Sequence, residues 1–190
     1  GVGLLVADAL CHNCHKMIIG LGGSATSDAG IGMLRALIDT FAPEDHFNAI
    51  RPLFDNCEVI LASDVTNPLY GINGAAHVFA KQKGATSSMI ETLDARAKQF
   101  ALHTKKAMGF DKSMQPGAGA AGGLGYAFMQ FLNAKMQSGA ELLLHLLQFD
   151  KLLAHADIII TGEGKSDRQT LMGKLPAVIM QHARQHHLPT

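Results

Sequence analysis

Four stretches of this chain combine residue types that chemistry needs. The first is Gly20-Leu21-Gly22-Gly23-Ser24-Ala25-Thr26-Ser27-Asp28, between an apolar run at 17–21 and a helical pattern at 31–38. Consecutive glycines let a ligand approach the backbone closely, hydroxyls add donors, and a following helix N-terminus carries partial positive charge. Gly22, Gly23, Ser24, Thr26 and Asp28 are therefore candidates for holding an anion such as phosphate. The alternative is a tight turn whose Ser and Asp cap the helix.

The second stretch, Pro116-Gly117-Ala118-Gly119-Ala120-Ala121-Gly122-Gly123-Leu124-Gly125, contains a literal G-x-G-x-x-G at 117, 119 and 122. The dinucleotide fingerprint requires a strand immediately before the glycines, whereas Asp111-Lys112-Ser113-Met114-Gln115 is polar, so that reading fails on context. Two readings stay open for Gly117, Gly119, Gly122 and Gly123: a second anion cradle, or close packing of a helix.

The third is Ile158-Ile159-Ile160-Thr161-Gly162-Glu163-Gly164-Lys165-Ser166-Asp167, an apolar strand pattern running into charged residues between glycines. In open α/β sheets the C-terminal strand ends face the ligand crevice, which makes Glu163, Lys165 and Asp167 candidate catalytic residues. The fourth, Ala62-Ser63-Asp64-Val65-Thr66-Asn67-Pro68, delivers a carboxylate at another strand end; Asn67-Pro68 is turn chemistry, leaving Asp64 as its candidate. Glycine loops, a lysine beside carboxylates and strand-end acids are the parts that phosphoryl transfer uses: anion cradles, a cation, and carboxylates for Mg²⁺ or the attacking hydroxyl. No Walker A run is present.

These loops need strands and helices to hold them. Periodicity predicts strands at 17–21, 58–62 and 158–161. It predicts helices at 31–38, 73–81, 86–108 (with Ser88 and Glu91 at capping-box spacing), 126–136, 141–155 and 176–187. Strands alternating with helices argue an α/β fold.

The chain has 190 residues, 47% apolar and 17% charged, enough for a substantial core. Sixteen Lys and Arg balance sixteen Asp and Glu, so no overall field gathers nucleic acid or an anionic membrane. No apolar run approaches the roughly 20 residues of a membrane span and no leader opens the sequence, which makes the cytoplasm the expected location. Three cysteines are not a disulfide framework. The start at Gly1 without Met, and the stop after a helical run, lead us to expect a fragment.

Four segments, IIGLGGSATSDAGIGMLRAL, ASDVTNPLYGINGAAHVFAKQKGA, PGAGAAGGLGYAFMQFL and ADIIITGEGKSDRQTLMGKLP, resemble in this order the glycerate kinase family of bacterial glycerate and glucarate pathways. The resemblance runs over essentially the whole chain. It implies a two-domain α/β architecture: residues 1–155 as the middle domain, and residues 156–190 as the start of the return to a Rossmann- or flavodoxin-like domain. It further implies ATP with Mg²⁺ as phosphoryl donor and D-glycerate as acceptor, with 2-phosphoglycerate or 3-phosphoglycerate as product. Under it Lys165 opposes phosphate charge, while Asp64, Glu163 and Asp167 bind Mg²⁺ or orient the glycerate hydroxyl, Asp64 and Asp167 being the metal candidates. Ser27, Ala29 and Lys165 stand where the family pattern has Asn, Gly and Arg. The family's N-terminal Asp, Ser and Lys motif has no counterpart here, so the fragment alone is expected to lack one wall of the cleft. Homo-oligomerisation stays open.

Three rival readings compete with this one. The first loop is similar to the phosphate loop of the homoserine, mevalonate and galactokinase superfamily, but the other three segments have no counterpart there. A truncated kinase scaffold acting only as a binding module is the second. The third is Cys11-His12-Asn13-Cys14-His15, a literal C-x-x-C-H of haem-attachment or metal-cluster type. The bland reading, a helix end leading into the strand at 17, is preferred because no second short-spaced ligand pair accompanies it.

Overall fold

The computed structural model describes residues 1–42, 49–162 and 175–190. By contact density these form two units, Gly1–Met136 and Gln137–Thr190.

The first unit is built on a βαβ crossover. Helix α1 (Val2–Cys11) leads into strand β1 (Lys16–Gly20), helix α2 (Ile31–Phe41) follows, and strand β2 (Glu58–Ala62) returns parallel to β1. The register pairs Lys16 with Glu58 and Gly20 with Ala62, so both strands end level and release their loops side by side. Val59, Ile60 and Leu61 are all buried, as a near-continuous apolar parallel strand requires. Gly3 lets α1 lie against α2: a Cβ there would stand 2.6 Å from the Met33 carbonyl oxygen and 2.7 Å from Ala36 Cβ.

After β2 the chain passes through a π-helical turn, Ala76–Ala80, and a 3-10 turn, Lys81–Lys83, before the 22-residue helix α3 (Ser87–Met108). Thr86 caps α3, its hydroxyl accepting from the Met89 amide at 3.4 Å; the predicted Ser88–Glu91 box lies two residues too far along. Gly109, at φ +80, ends the helix.

Helix α4 (Ala120–Phe131) carries the densest part of the core, with Tyr126, Ala127 and Phe128 fully buried. Phe100 of α3 meets Tyr126 edge-on at 5.9 Å and stacks on Phe131 at 5.8 Å. Gln130, buried in the same helix, accepts from the Lys112 amide and donates to the Phe110 carbonyl, tying down the polar stretch before the second glycine loop. The predicted helix at 126–136 stops at Phe131. Beyond it Asn133 takes φ +51, and β3 (Lys135–Gln137) joins the sheet in the order β1-β2-β3.

The second unit packs α5 (Gly139–Leu146), α6 (Phe149–Leu153) and α7 (Leu175–Gln185) around Ala140, Leu144 and Val178. The single helix expected at 141–155 is two helices, because Gln148 sits in the left-handed region at φ +54. The strand expected at 158–161 does not form. Ile158 is 60% exposed and Ile160 90%, and the Ile159 amide donates to the Pro189 carbonyl rather than to a neighbouring strand. Apolar β propensity without a sheet neighbour does not make a strand. Among the described residues no helix is long and apolar enough to cross a membrane.

Candidate functional site

Three loops of the first unit converge beyond the C-terminal ends of β1 and β2. The β1 loop supplies Leu21, Gly22, Gly23 and Ser24 to a cavity of about 380 Å³, within the usual size range of small-molecule sites. The β2 loop adds Val65, the helical turns add Phe79, Gln82 and Lys83, and the second glycine loop adds Ala121 and Gly122. Gly22 and Gly23 border open space: among the described residues a Cβ on either would meet no protein atom within 4 Å.

The two glycine loops interlock. The Ala29 amide donates to the Gly122 carbonyl at 3.0 Å. Gly122 takes φ +70, and a Cβ on it would collide with the Thr26 carbonyl oxygen and lie 2.9 Å from Ser27 Cα. Gly123, at φ +92, is tight in the same sense, since a Cβ there would lie 2.6 Å from Ala29 Cα. The Gly119 amide donates to the Asn67 carbonyl at 2.9 Å. Gly117, at φ +86, leaves room for Met136. Gly117, Gly119 and Gly123 are thus occupied in packing the second loop against its neighbours. Of the four second-loop candidates the structure brings Gly122 to the cavity.

Asp28 is used differently from Gly22 and Gly23. Its two carboxylate oxygens accept from the Gly30 amide at 3.1 Å and the Gly32 amide at 2.9 Å, capping the N-terminus of α2. It lines a separate depression of about 310 Å³ with Arg96 and Ala97. These hydrogen bonds match the capping alternative raised by the sequence, and Asp28 does not line the 380 Å³ cavity. Thr26 takes part through its backbone, whose carbonyl accepts from Lys83. Asp64 is exposed in the loop after β2, next to the cavity-lining Val65. Glu163, Lys165 and Asp167 lie outside the described residues.

Lys83 is the residue that the motif reading does not single out. Its Nζ donates to Ser24 Oγ at 2.9 Å and to the Thr26 carbonyl at 2.6 Å, bridging 59 and 57 positions of sequence. Burial pulls its ammonium below the usual lysine value, and the Asp28 carboxylate pulls the other way. The signal in the sequence was modest: a Gln-Lys-Gly run closing a helical turn inside one of the four family-like segments. Cys11 and Cys14 are exposed free thiols at and beyond the end of α1, and Cys57 is a buried one. Among the described residues no three His, Cys, Asp or Glu side chains gather as a metal site.

Residues 1–46 and 42–190 match the sequence family described as the glycerate kinase family. The chain belongs to the glycerate kinase family. It is 39% identical over 206 aligned positions to glycerate 2-kinase of Escherichia coli K12, and equally to glycerate kinase of Bacillus cereus. Both alignments take in 100% of this chain and 54% of the relative. A crystal structure assigned as a glycerate kinase 2 from Salmonella typhimurium LT2 superposes with a TM-score of 0.81 at 36% identity, covering all of this chain and 55% of that one. The chain therefore spans about half the length of the curated glycerate kinases it matches. Its mixed α/β fold with a parallel sheet agrees with that neighbour.

Proposed function

We propose that the protein of which this chain is a part is a glycerate kinase that moves the γ-phosphoryl group of ATP to a hydroxyl of D-glycerate, in the cytoplasm. The observation that carries the reading is the cradle: in a chain of this family, Gly22 and Gly23 leave open space where β1 ends, above a loop held in place by Gly122. Such a loop suits an oxygen-rich anion because nothing but backbone limits how near the anion comes. In this reading residues 1–155 form the family's middle domain and 156–190 begin the return to the second domain.

The residues present fit the anionic end of such substrates. Gly22, Gly23, Ser24 and Thr26 seat the charged group, with the Ser24 hydroxyl as a donor, and Gly122 fixes the loop's position. In this reading Asp64, in the loop after β2, accepts a proton from the attacking hydroxyl or shares Mg²⁺ with Asp167, and Lys165 opposes charge on the phosphate. ATP with Mg²⁺ supplies the phosphoryl group and neutralises its charge. What the chain contributes is position and water exclusion, which is most of what phosphoryl transfer asks of a protein.

The test is an ADP-release assay on the whole protein with ATP, Mg²⁺ and D-glycerate, followed by phosphorus NMR to tell the 2-phosphate from the 3-phosphate. Glycerate-dependent release that falls at least about a hundredfold in Asp64→Asn or Asp167→Asn supports the reading. A folded whole protein that binds ATP or glycerate and releases no ADP overturns it in favour of a binding module.

A further inference from the structure

The cradle contains a cation that the kinase reading leaves unused. Lys83 stands at the end of the turn Lys81–Lys83, which follows directly on the π-helical turn Ala76–Ala80. Extra-residue turns of that kind are frequent at functional sites because they re-aim the side chains that follow. Here the result is an ammonium group delivered to the wall of the cavity, next to Gly22 and Gly23.

Its surroundings are unusual for a lysine. The two acceptors of Nζ, Ser24 Oγ and the Thr26 carbonyl, are both neutral. Among the described residues no carboxylate lies within ion-pair distance of it. The carboxylate whose field it feels, Asp28, spends both oxygens on the α2 amides. A partly desolvated ammonium with neutral partners is a charge awaiting compensation, and it borders a cavity with room for a ligand. An ammonium has three donors, and two are accounted for.

We propose that Lys83 is the binding cation of the glycine cradle, held by Ser24 and the Thr26 carbonyl so that its remaining donor meets a small oxyanion seated over Gly22 and Gly23. The ligand chemistry is a phosphate or carboxylate group. Two sources present it, the phosphate chain of a nucleotide and the carboxylate of a hydroxy acid. The inference deepens the kinase reading by naming a charge for its cradle, but the binding claim stands on the Lys83 geometry alone.

The experiment uses the whole protein, as wild type, Lys83→Met and Lys83→Arg, titrated calorimetrically with ATP and with D-glycerate. Loss of one charge-assisted hydrogen bond predicts binding weaker by about 10- to 100-fold in Lys83→Met, with partial recovery in Lys83→Arg. A loss confined to ATP assigns the phosphate source, and one confined to D-glycerate the carboxylate source. Should Lys83→Met fold poorly, acetylation of wild-type lysines read by mass spectrometry replaces it. ATP or glycerate then slows labelling of Lys83 several-fold relative to Lys81. Unchanged affinities in a folded Lys83→Met, or unchanged Lys83 labelling under saturating ligand, overturn the inference. The two claims fail separately: full turnover in Lys83→Met leaves the kinase standing without this residue, and protection of Lys83 in a protein without turnover does the reverse.

Discussion

Replacing Gly122 by alanine tests whether the two glycine loops are mechanically one piece. The substitution has two costs that can be separated. A non-glycine residue at φ +70 costs about 1 kcal/mol for the left-handed backbone alone. The new Cβ also collides with the Thr26 carbonyl oxygen and lies 2.8 Å from its carbon. Neither atom is the end of a flexible side chain, so backbone must shift, at about 1–3 kcal/mol more. The shift strains the Ala29–Gly122 hydrogen bond, worth about 1 kcal/mol. The sum, about 2–5 kcal/mol, is a large share of the roughly 5–15 kcal/mol that stabilises a domain. Gly109 supplies the control: it has φ +80, but among the described residues a Cβ added there would meet no atom within 4 Å, so Gly109→Ala carries the backbone cost alone. Urea unfolding of both variants, followed by far-ultraviolet circular dichroism, isolates the collision as the difference between them. A Gly122→Ala protein no less stable than Gly109→Ala would refute the interlocking.

Two further outcomes follow from polar contacts. Asp28→Ala removes both carboxylate acceptors from the N-terminus of α2 and should lower stability by about 1 kcal/mol in the same urea assay; no change would mean that the cap is idle. In the second unit, His182 of α7 faces Asp150 through Nδ1 at 2.7 Å and Glu141 through Nε2 at 3.1 Å, with His186 also 3.3 Å from Asp150. A neutral imidazole has one N–H, so donation to both carboxylates requires the protonated ring. The Asp150 hydrogen bond first, and that of Glu141 next, raise the His182 value above the ordinary one, and His182 in turn lowers Asp150. The His182 contribution is complete below its unfolded value near pH 6.5 and disappears as pH rises through the raised folded value. The Asp150 contribution is present above about pH 4 and disappears as pH falls through its lowered one. Amide exchange of α7, corrected for the intrinsic rate, should therefore show greatest protection between about pH 4 and 6.5, and His182→Gln should flatten that profile. An α7 equally protected at about pH 6 and pH 9 would contradict the clamp.

Much of the first unit was legible because its signals are local. The apolar runs at β1 and β2, the periodic helices α2 and α3, and the glycine loops between them are written in short windows of sequence, and β2 falls at residues 58–62 as predicted. What was not legible depends on distant chain. The run at 158–161 reads as a strand, yet a strand requires a neighbour to pair with. The break at Gln148 places a non-glycine residue in the left-handed region, which no local preference signals. In the cradle, residue types pointed to a candidate anion loop but not to the contacts its residues make. Asp28 turned out to cap, three of the four second-loop glycines to pack, and Lys83 entered from a turn nearly sixty residues away.

The most direct measurement of the cradle itself is the steady-state kinetics of Gly22→Ala in the whole protein, paired with its urea stability. Among the described residues its Cβ meets no protein atom within 4 Å, so the described fold does not register the methyl group and a ligand seated there does. The account predicts stability within about 0.5 kcal/mol of wild type, the usual effect of a change that touches nothing. It also predicts kcat/KM for D-glycerate and ATP lower by about tenfold or more, because a methyl group stands where the anion makes its closest approach. Unchanged kcat/KM in a protein of unchanged stability would contradict it, and would place the reacting anion elsewhere.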